Sequence, residues 1–327
     1  MALLKWGVLG ASSVAHRRAM PAINKAENAE LHALFSRTEE KAKRMAQEHG
    51  AERYYTNADE LIADEELDAI YISTPPYLHC EYTLKAAERG LQIMCEKPMA
   101  VSVEECEKMI AACEKNRVGI QICFLFRFHS CFQDIKSMID GGQLGEIIGA
   151  RMPIFKVSGH PEGDWHTIRA QGGGGSLMDQ GAHSVDLIRY LIGEISEVTA
   201  FCGTFADVYK DVEDVGTILM KMENGAHAVA NTSFVVPVYD VVFEVYGTKG
   251  WVLVYNNNGW YVKTDIDGKV KVEPSQYEDL FQMQFEHIAR CVSGKEKPII
   301  TGMDGLKNIQ AISAAYDSVR TGRTIKL

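Results

Sequence analysis

Asp179 and His183 stand four residues apart in the segment 172–186, GGGGSLMDQGAHSVD. A helix opening at Ser176, read as its N-cap, and running to Leu191 or Ile192 puts both side chains on one face. A carboxylate one turn away can orient an imidazole, and an oriented imidazole near neutral pH is what a general base requires. At about 100° per residue, Asp186 and Tyr190 join that stripe, while Leu177, Ile188, Leu191 and Ile192 face the other way. An ordinary solvated helix face would carry Lys, Arg or Glu among these positions, and this one carries none.

A second chemical group is Lys97 in Glu96-Lys97-Pro98, at the end of an expected strand from Leu91 to Cys95. The residue before a proline has a restricted backbone, and an X–Pro bond admits the cis form. Taken alone, Lys97 would read as a solvated loop lysine. Its neighbours supply a context. An apolar strand, Leu3 to Leu9, runs into Gly10, Ser12 and Ala15 at the start of a helix. Strand, glycine turn and helix make a dinucleotide-binding fingerprint in which helix amides meet a pyrophosphate, although Ser12 stands where the second glycine belongs. The Ser12 hydroxyl either donates to a phosphate or only marks the tight turn.

A second strand, Leu31 to Phe35, ends in Ser36 and Arg37 rather than in an acid. A hydroxyl with a guanidinium suits a 2′-phosphate, so NADP is favoured and NAD admitted. Ser36 could equally cap the next helix with Glu39 completing a capping box. The candidate cofactor contacts are Gly10, Ser12, Ser13, Val14, Ser36, Arg37, Lys41, Thr74, Pro75, His79, Glu96 and Lys97.

The elements that must position these groups alternate regularly. Strands at Ala69–Ser73, Leu91–Cys95 and Val118–Phe124 alternate with helices at 59–63, 80–89 and 102–116. That pattern implies a doubly wound parallel sheet, with ligands at the carboxyl ends of its strands. Beyond about Phe124 the pattern changes. A helix is expected at 133–139 and a strand at 147–156. A loop at 157–171 follows, carrying His160, Asp164, Trp165, His166 and Arg169. After the central helix come strands at 198–204, 215–222, 226–235, 239–246, 251–255, 260–264 and 269–273, separated by Asn- and Gly-rich turns. These read as an antiparallel meander with one face covered by helices and the other free to meet a second subunit. Helices at 280–292 and 305–320 close the chain. The expected fold is therefore α/β: a Rossmann domain at 1–122, then an α+β substrate and oligomerisation domain at 123–327 with a large, mostly antiparallel sheet. The closing helices are free to pack back on the first domain.

Composition narrows the function. The 327 residues are 46% hydrophobic with net charge −10 and no basic block, which argues against nucleic acid as a partner. The segment Met1 to Gly7 lacks the apolar core of a signal peptide, and no run reaches transmembrane length. The eight cysteines show neither Cys-x-x-Cys nor a zinc-like spacing. A reduced, cytoplasmic protein with no membrane partner is expected. No three His or Asp residues fall at ligand spacing along the chain, so no metal is expected.

Together the motifs resemble the glucose–fructose oxidoreductase, inositol dehydrogenase and rhizopine-catabolism family (Gfo/Idh/MocA). They are Gly7-x-x-Gly10, Thr74-Pro-Pro-x-x-His79, Glu96-Lys97-Pro98, Phe126-Arg127-Phe128, the glycine run with Asp179-x-Gly181-x-His183, Tyr246-Gly-Thr-Lys-Gly250, and Asp317-Ser318-x-x-x-Gly322-Arg323. The resemblance covers nearly the whole chain, and the Glu-Lys-Pro and Asp-x-Gly-x-His pairs are its specific part. It implies a two-domain NAD(P)-dependent oxidoreductase acting on a sugar, cyclitol or related polyol. Lys97 would bind the reacting oxygen, His183 would be the acid/base, and Asp179 would position substrate and imidazole. Arg127 of the Phe126-Arg127-Phe128 motif joins Trp165 and Arg169, whose loop mixes aromatic, imidazole and guanidinium groups suited to a hydroxylated ligand, as candidate substrate contacts; the resemblance further implies a homodimer or homotetramer through the antiparallel sheet. Two alternatives stay open within the resemblance: a glycoside-cleaving enzyme that recycles bound NAD(H), and a non-catalytic dinucleotide or sugar sensor.

Overall fold

The computed structural model describes residues 3–238, 240–256, 259–276 and 278–327. The chain divides into two units, Met1–Leu125 with Asp279–Leu306, and Phe126–Glu278 with Lys307–Leu327.

In the first unit, six short strands form one parallel sheet. They are β1 (Leu4–Leu9), β2 (Ala29–Phe35), β3 (Arg53–Tyr55), β4 (Ala69–Ile72), β5 (Gln92–Cys95) and β6 (Ile120–Ile122), in the order β3-β2-β1-β4-β5-β6. Helices α1 (Met20–Lys25), α2 (Glu39–His49), α3 (Ala58–Ile62), α4 (His79–Glu88) and α5 (Val103–Asn116) make the crossovers. This strand order reverses direction between β1 and β4, the point where such sheets bind dinucleotides. Strands β1 and β4 are buried along nearly all their length, as continuous apolar runs covered on both sides must be. The helix Leu280–Val292 packs here too, with Phe285 edge-on to Trp6 at 4.9 Å between ring centroids.

The second unit holds a ten-stranded sheet. Its strands are β7 (Ile147–Phe155), β8 (Ile195–Gly203), β9 (Val215–Met222), β10 (His227–Ser233), β11 (Asp240–Val241), β12 (Phe243–Gly247), β13 (Gly250–Asn256), β14 (Trp260–Ile266), β15 (Lys269–Pro274) and β16 (Ile325–Lys326). The order is β15-β14-β13-β12-β7-β10-β9-β8-β16, with β11 paired to β7 beside this path. This corrects the expectation of a plain meander. Strand β7 is inserted between β10 and β12 and runs parallel to β10, because three strands folded sequentially as β8-β9-β10 leave one edge that β7 closes. The strand expected over 239–246 is broken at Val242, with Tyr239 outside the described residues. Of the expected turn at 256–259, Asn257 and Asn258 also lie outside them.

Helices α6 (Ser130–Asp140), α7 (Arg169–Gly172) and α8 (Ser176–Ile192) belong to this unit, as does the helix Gly302–Thr321 from Lys307 onward, and α8 lies across the sheet. On one flank Leu177 fills the space above β9, where a Cβ on Gly216 would come within 2.3 Å of its Cγ. Along its base the Ser176 Oγ accepts from the Thr232 hydroxyl at 3.0 Å, and the Gln180 Oε1 accepts from Ser233 N–H at 3.1 Å, both over β10. By helical rotation Asp179 and His183 fall on the flank opposite Leu177, toward β7.

Candidate active site

In the first unit the candidate cofactor contacts gather at the carboxyl ends of β1, β2, β4 and β5. Gly10 has φ +114, and a Cβ there would sit 2.7 Å from the Ser73 carbonyl oxygen, so only glycine lets the chain pass. The Ser12 hydroxyl closes the turn: it accepts from Ala15 N–H at 3.0 Å and lies 2.5 Å from the Ser73 hydroxyl. Helical backbone begins at Ser13, and Ser13 and Val14 are exposed, presenting the first amides of the helix. Arg37 and Lys41 are exposed, while Ser36 is buried at the tip of β2. The capping alternative for Ser36 does not hold, because α2 starts after Thr38, without a side-chain cap.

Beyond β4, the Thr74 hydroxyl is buried without a partner among the described residues. His79 is buried, with Nδ1 3.0 Å from the Pro98 carbonyl and Nε2 2.9 Å from that of Thr74. Burial pushes its pKa down, and a neutral ring donates to only one of these carbonyls. His79 therefore sits between the two loops that carry Thr74 and Lys97 and hydrogen-bonds one of them. Glu96 accepts from the Tyr71 hydroxyl at 2.5 Å and from Lys97 N–H at 3.2 Å, and burial pushes its carboxyl up. The Lys97–Pro98 bond is cis. A dinucleotide fits this edge on three counts: a glycine crossing where its backbone must pass closely, free helix amides for a pyrophosphate, and an orphaned hydroxyl at Thr74.

In the second unit α8 carries Asp179, which is buried, and His183, which is half-buried with its ring edge-on to Phe126 at 5.4 Å. The expected N-cap is corrected: Gly175 occupies that position and Ser176 is already helical. The cap arrives from the loop before β9. The Glu213 Oε1 accepts from Gly175 N–H at 2.9 Å, Leu177 N–H at 3.0 Å and the Tyr316 hydroxyl at 2.8 Å. The Glu213 backbone carbonyl takes Ser176 N–H at 2.9 Å. A negative group at a helix N-terminus meets the positive end of its dipole. It also explains the glycine run, since a Cβ at Gly175 would lie 1.8 Å from the Glu213 carbonyl oxygen and one at Gly174 1.9 Å from the Tyr316 hydroxyl.

Two residues expected to touch substrate are turned to protein partners. Arg127 grips Asp186 with two hydrogen bonds, at 2.6 and 3.0 Å, both side chains buried, and lies over the Tyr190 ring. The Arg169 backbone N–H donates to the Asp211 carboxylate at 2.7 Å, while its guanidinium donates to the Asp211 carbonyl at 3.2 Å, approaches Glu213 at 3.5 Å and covers Tyr316. Both fix α8, one at mid-length and one at its start.

The loop before α7 forms a stack. Trp165, His166 and His160 lie ring on ring, with centroids 3.4 and 3.6 Å apart. Asp164 accepts from the His166 backbone N–H at 3.0 Å and meets its Nδ1 at 2.5 Å. Burial, then the neighbouring His166, pushes His160 down to about 4. His160, Asp164 and His166 bring ligand-type atoms within 4.8 Å of one another, as do His16, Glu48 and His49, and Glu30, His32 and Glu52. Spacing along the chain gave no sign of these groupings. In the first of them the rings are only 14° from parallel, so their in-plane lone pairs run side by side rather than converging on one ion.

Sequence reasoning missed Glu213, whose only local signal is an acid in the turn before β9. It also passed over Lys156, which continues the alternation of Met152 and Ile154.

Both units match family models. The model described as "Oxidoreductase family, NAD-binding Rossmann fold" fits residues 4–124, and "GFO/IDH/MocA C-terminal domain" fits residues 132–253. The chain is 28% identical to the D-xylose 1-dehydrogenase (NADP(+)) 2 of Haloferax volcanii, over 99% of this chain and 100% of that one. It is 27% identical to the scyllo-inositol 2-dehydrogenase (NAD(+)) of Bacillus subtilis, over 99% and 96%. The crystal structure of the aldose-aldose oxidoreductase from Caulobacter crescentus, complexed with glycerol, superposes with a TM-score of 0.92 at 34% identity, covering 99% and 100%. The chain belongs to the Gfo/Idh/MocA family of NAD(P)-dependent oxidoreductases. Its first unit is the family's NAD-binding Rossmann fold.

Proposed function

We propose that this protein catalyses reversible hydride transfer between C4 of the nicotinamide and a hydroxyl-bearing carbon of a sugar, cyclitol or related polyol. The bound dinucleotide supplies the hydride acceptor or donor. His183 takes or returns the hydroxyl proton, Asp179 orients the imidazole, and Lys97 stabilises the developing alkoxide. The observation that carries this reading is the immobilised front of α8: an aspartate and a histidine one turn apart on a helix clamped by Glu213 at its start and by Arg127 through Asp186. Such fixing is how a protein contributes positioning to a reaction that has no metal in it. The test is a panel of sugars and cyclitols with NADP+ and NAD+, followed by nicotinamide absorbance. Silence across the panel by protein that binds the dinucleotide would remove the reading.

A homodimer or homotetramer is part of the same proposal. The sheet face away from α8 presents Phe201 (68% exposed), Leu219 (44%) and Tyr246 (42%), with Trp251 beside Tyr246 by register. An apolar face of this extent is what a second copy covers. Among the described residues no helix is long and apolar enough to cross a membrane. We place the protein in the cytoplasm, in keeping with its eight free cysteines.

A further inference from the structure

The end of β7 carries a row of polar groups that the proposed chemistry does not use. Lys156 N–H donates to the Ser233 carbonyl at 3.1 Å, and Ser158 N–H donates to that of Phe234 at 2.9 Å. With both amides turned to the same neighbour, the two side chains share one face of the extended chain. It is the face of Ala150, Met152 and Ile154, which α8 covers. That is also the flank to which Asp179 and His183 turn. Lys156 is half-buried and has no carboxylate within ion-pair distance among the described residues. Among the described residues the buried Ser158 hydroxyl has no partner, and neither has the buried Nε2 of His160, two residues further on. Buried polar atoms of this kind are rare and normally satisfied, so two of them beside a half-buried ammonium point to an atom that the chain itself does not supply.

We propose that Lys156 and Ser158 take a carboxylate of the substrate, so that the preferred polyol is a sugar acid. An ammonium and a hydroxyl both donate, and a carboxylate only accepts. One cation balances one negative charge. A phosphate dianion would leave excess negative charge beside two carboxylates, Asp179 and Asp164. A neutral polyol would offer the ammonium only hydroxyl oxygens, giving up a charge-assisted bond. The inference rests on the oxidoreductase reading above, and the experiment separates the two.

Matched pairs decide it: D-glucuronate against D-glucose, D-galacturonate against D-galactose, and D-gluconate against D-glucitol. In at least one pair kcat/KM for the acid should exceed that for the neutral member by about tenfold or more, the value of one charge-assisted bond. Lys156→Met should bring that ratio close to one, chiefly through KM, and Lys156→Arg should keep more of it. Unchanged thermal unfolding of the variants shows that the fold is kept. Neutral members turned over as well as the acids, or a ratio that survives Lys156→Met, overturns the proposal. If the protein turns over nothing, the oxidoreductase reading fails, and calorimetric titration of NADP+-loaded protein with D-gluconate takes its place. Binding that Lys156→Met abolishes supports the carboxylate site, and no binding, or binding insensitive to Lys156, overturns it.

Discussion

Lys97 and His183 differ in what their removal should cost. General acid–base work contributes roughly 10²–10⁴ in rate, so His183→Ala should lower the rate at least about a hundredfold with dinucleotide affinity kept. Lys97→Ala should do the same, and a near-normal rate in either variant removes that residue from the mechanism. Cofactor choice is a second matter for single residues. Arg37 is exposed and pairs with no carboxylate among the described residues, so its planar fork is free for a 2′-phosphate, with Ser36 beside it. Arg37→Ala should weaken NADP(H) by about ten- to a hundredfold while leaving NAD(H) little changed, and Ser36→Asp should reverse the preference. Fluorescence titration with both cofactors checks this, and an equal loss for both would assign Arg37 to adenine stacking alone.

The elements show what local pattern reveals and what it hides. Asp179 and His183 were legible because helical periodicity is written into consecutive residues. Most strands of both sheets were legible from their apolar runs and turn signals, but the short edge strands β3 and β16 were not. The start of α8 was misread at Ser176 because its cap is a carboxylate from a loop after β8, and nothing within the helix records it. The seat of β7 was hidden for the same reason, since alternation says which face a strand buries but not which strand lies beside it. Arg127 and Arg169 could be picked out as cations near the site, but not the engagement of Arg127 with Asp186 or of Arg169 with Glu213 and the Asp211 carbonyl. Glu213→Ala would leave two helix amides and the Tyr316 hydroxyl unsatisfied in a buried place. It should destabilise the fold by about 2 kcal/mol or more, with Glu213→Gln milder because one acceptor oxygen remains. Denaturant midpoints decide it, and an unshifted midpoint for Glu213→Ala would mean that water replaces the cap.

For the molecule as a whole, two outcomes are expected. Light scattering at micromolar concentration should give a dimer or a dimer of dimers, and Phe201→Glu with Leu219→Glu should shift it toward monomer. A wild-type monomer would leave the apolar sheet face without its second copy. Exhaustive chelation should leave turnover unchanged, as the nearly parallel His160 and His166 rings require, and recovery on adding zinc would show that the loop rearranges around an ion.

The insertion of β7 into the middle of the large sheet bears on how the chain is made. Gly149 pairs with His227 and Phe155 with Ser233, so this strand leaves the ribosome long before its parallel neighbour exists. Its partner on the other side, β12, is later still. Through that interval the buried row Ala150, Met152 and Ile154 has no sheet to join, and α8, made in between, has no sheet to lie across. Non-local pairing of this sort is slow and exposes apolar strand edges. Nascent chains released shortly before β10 should therefore bind a hydrophobic dye and a general chaperone. Chains extended past Ser233 should lose much of that affinity, and those extended past Gly247 nearly all of it.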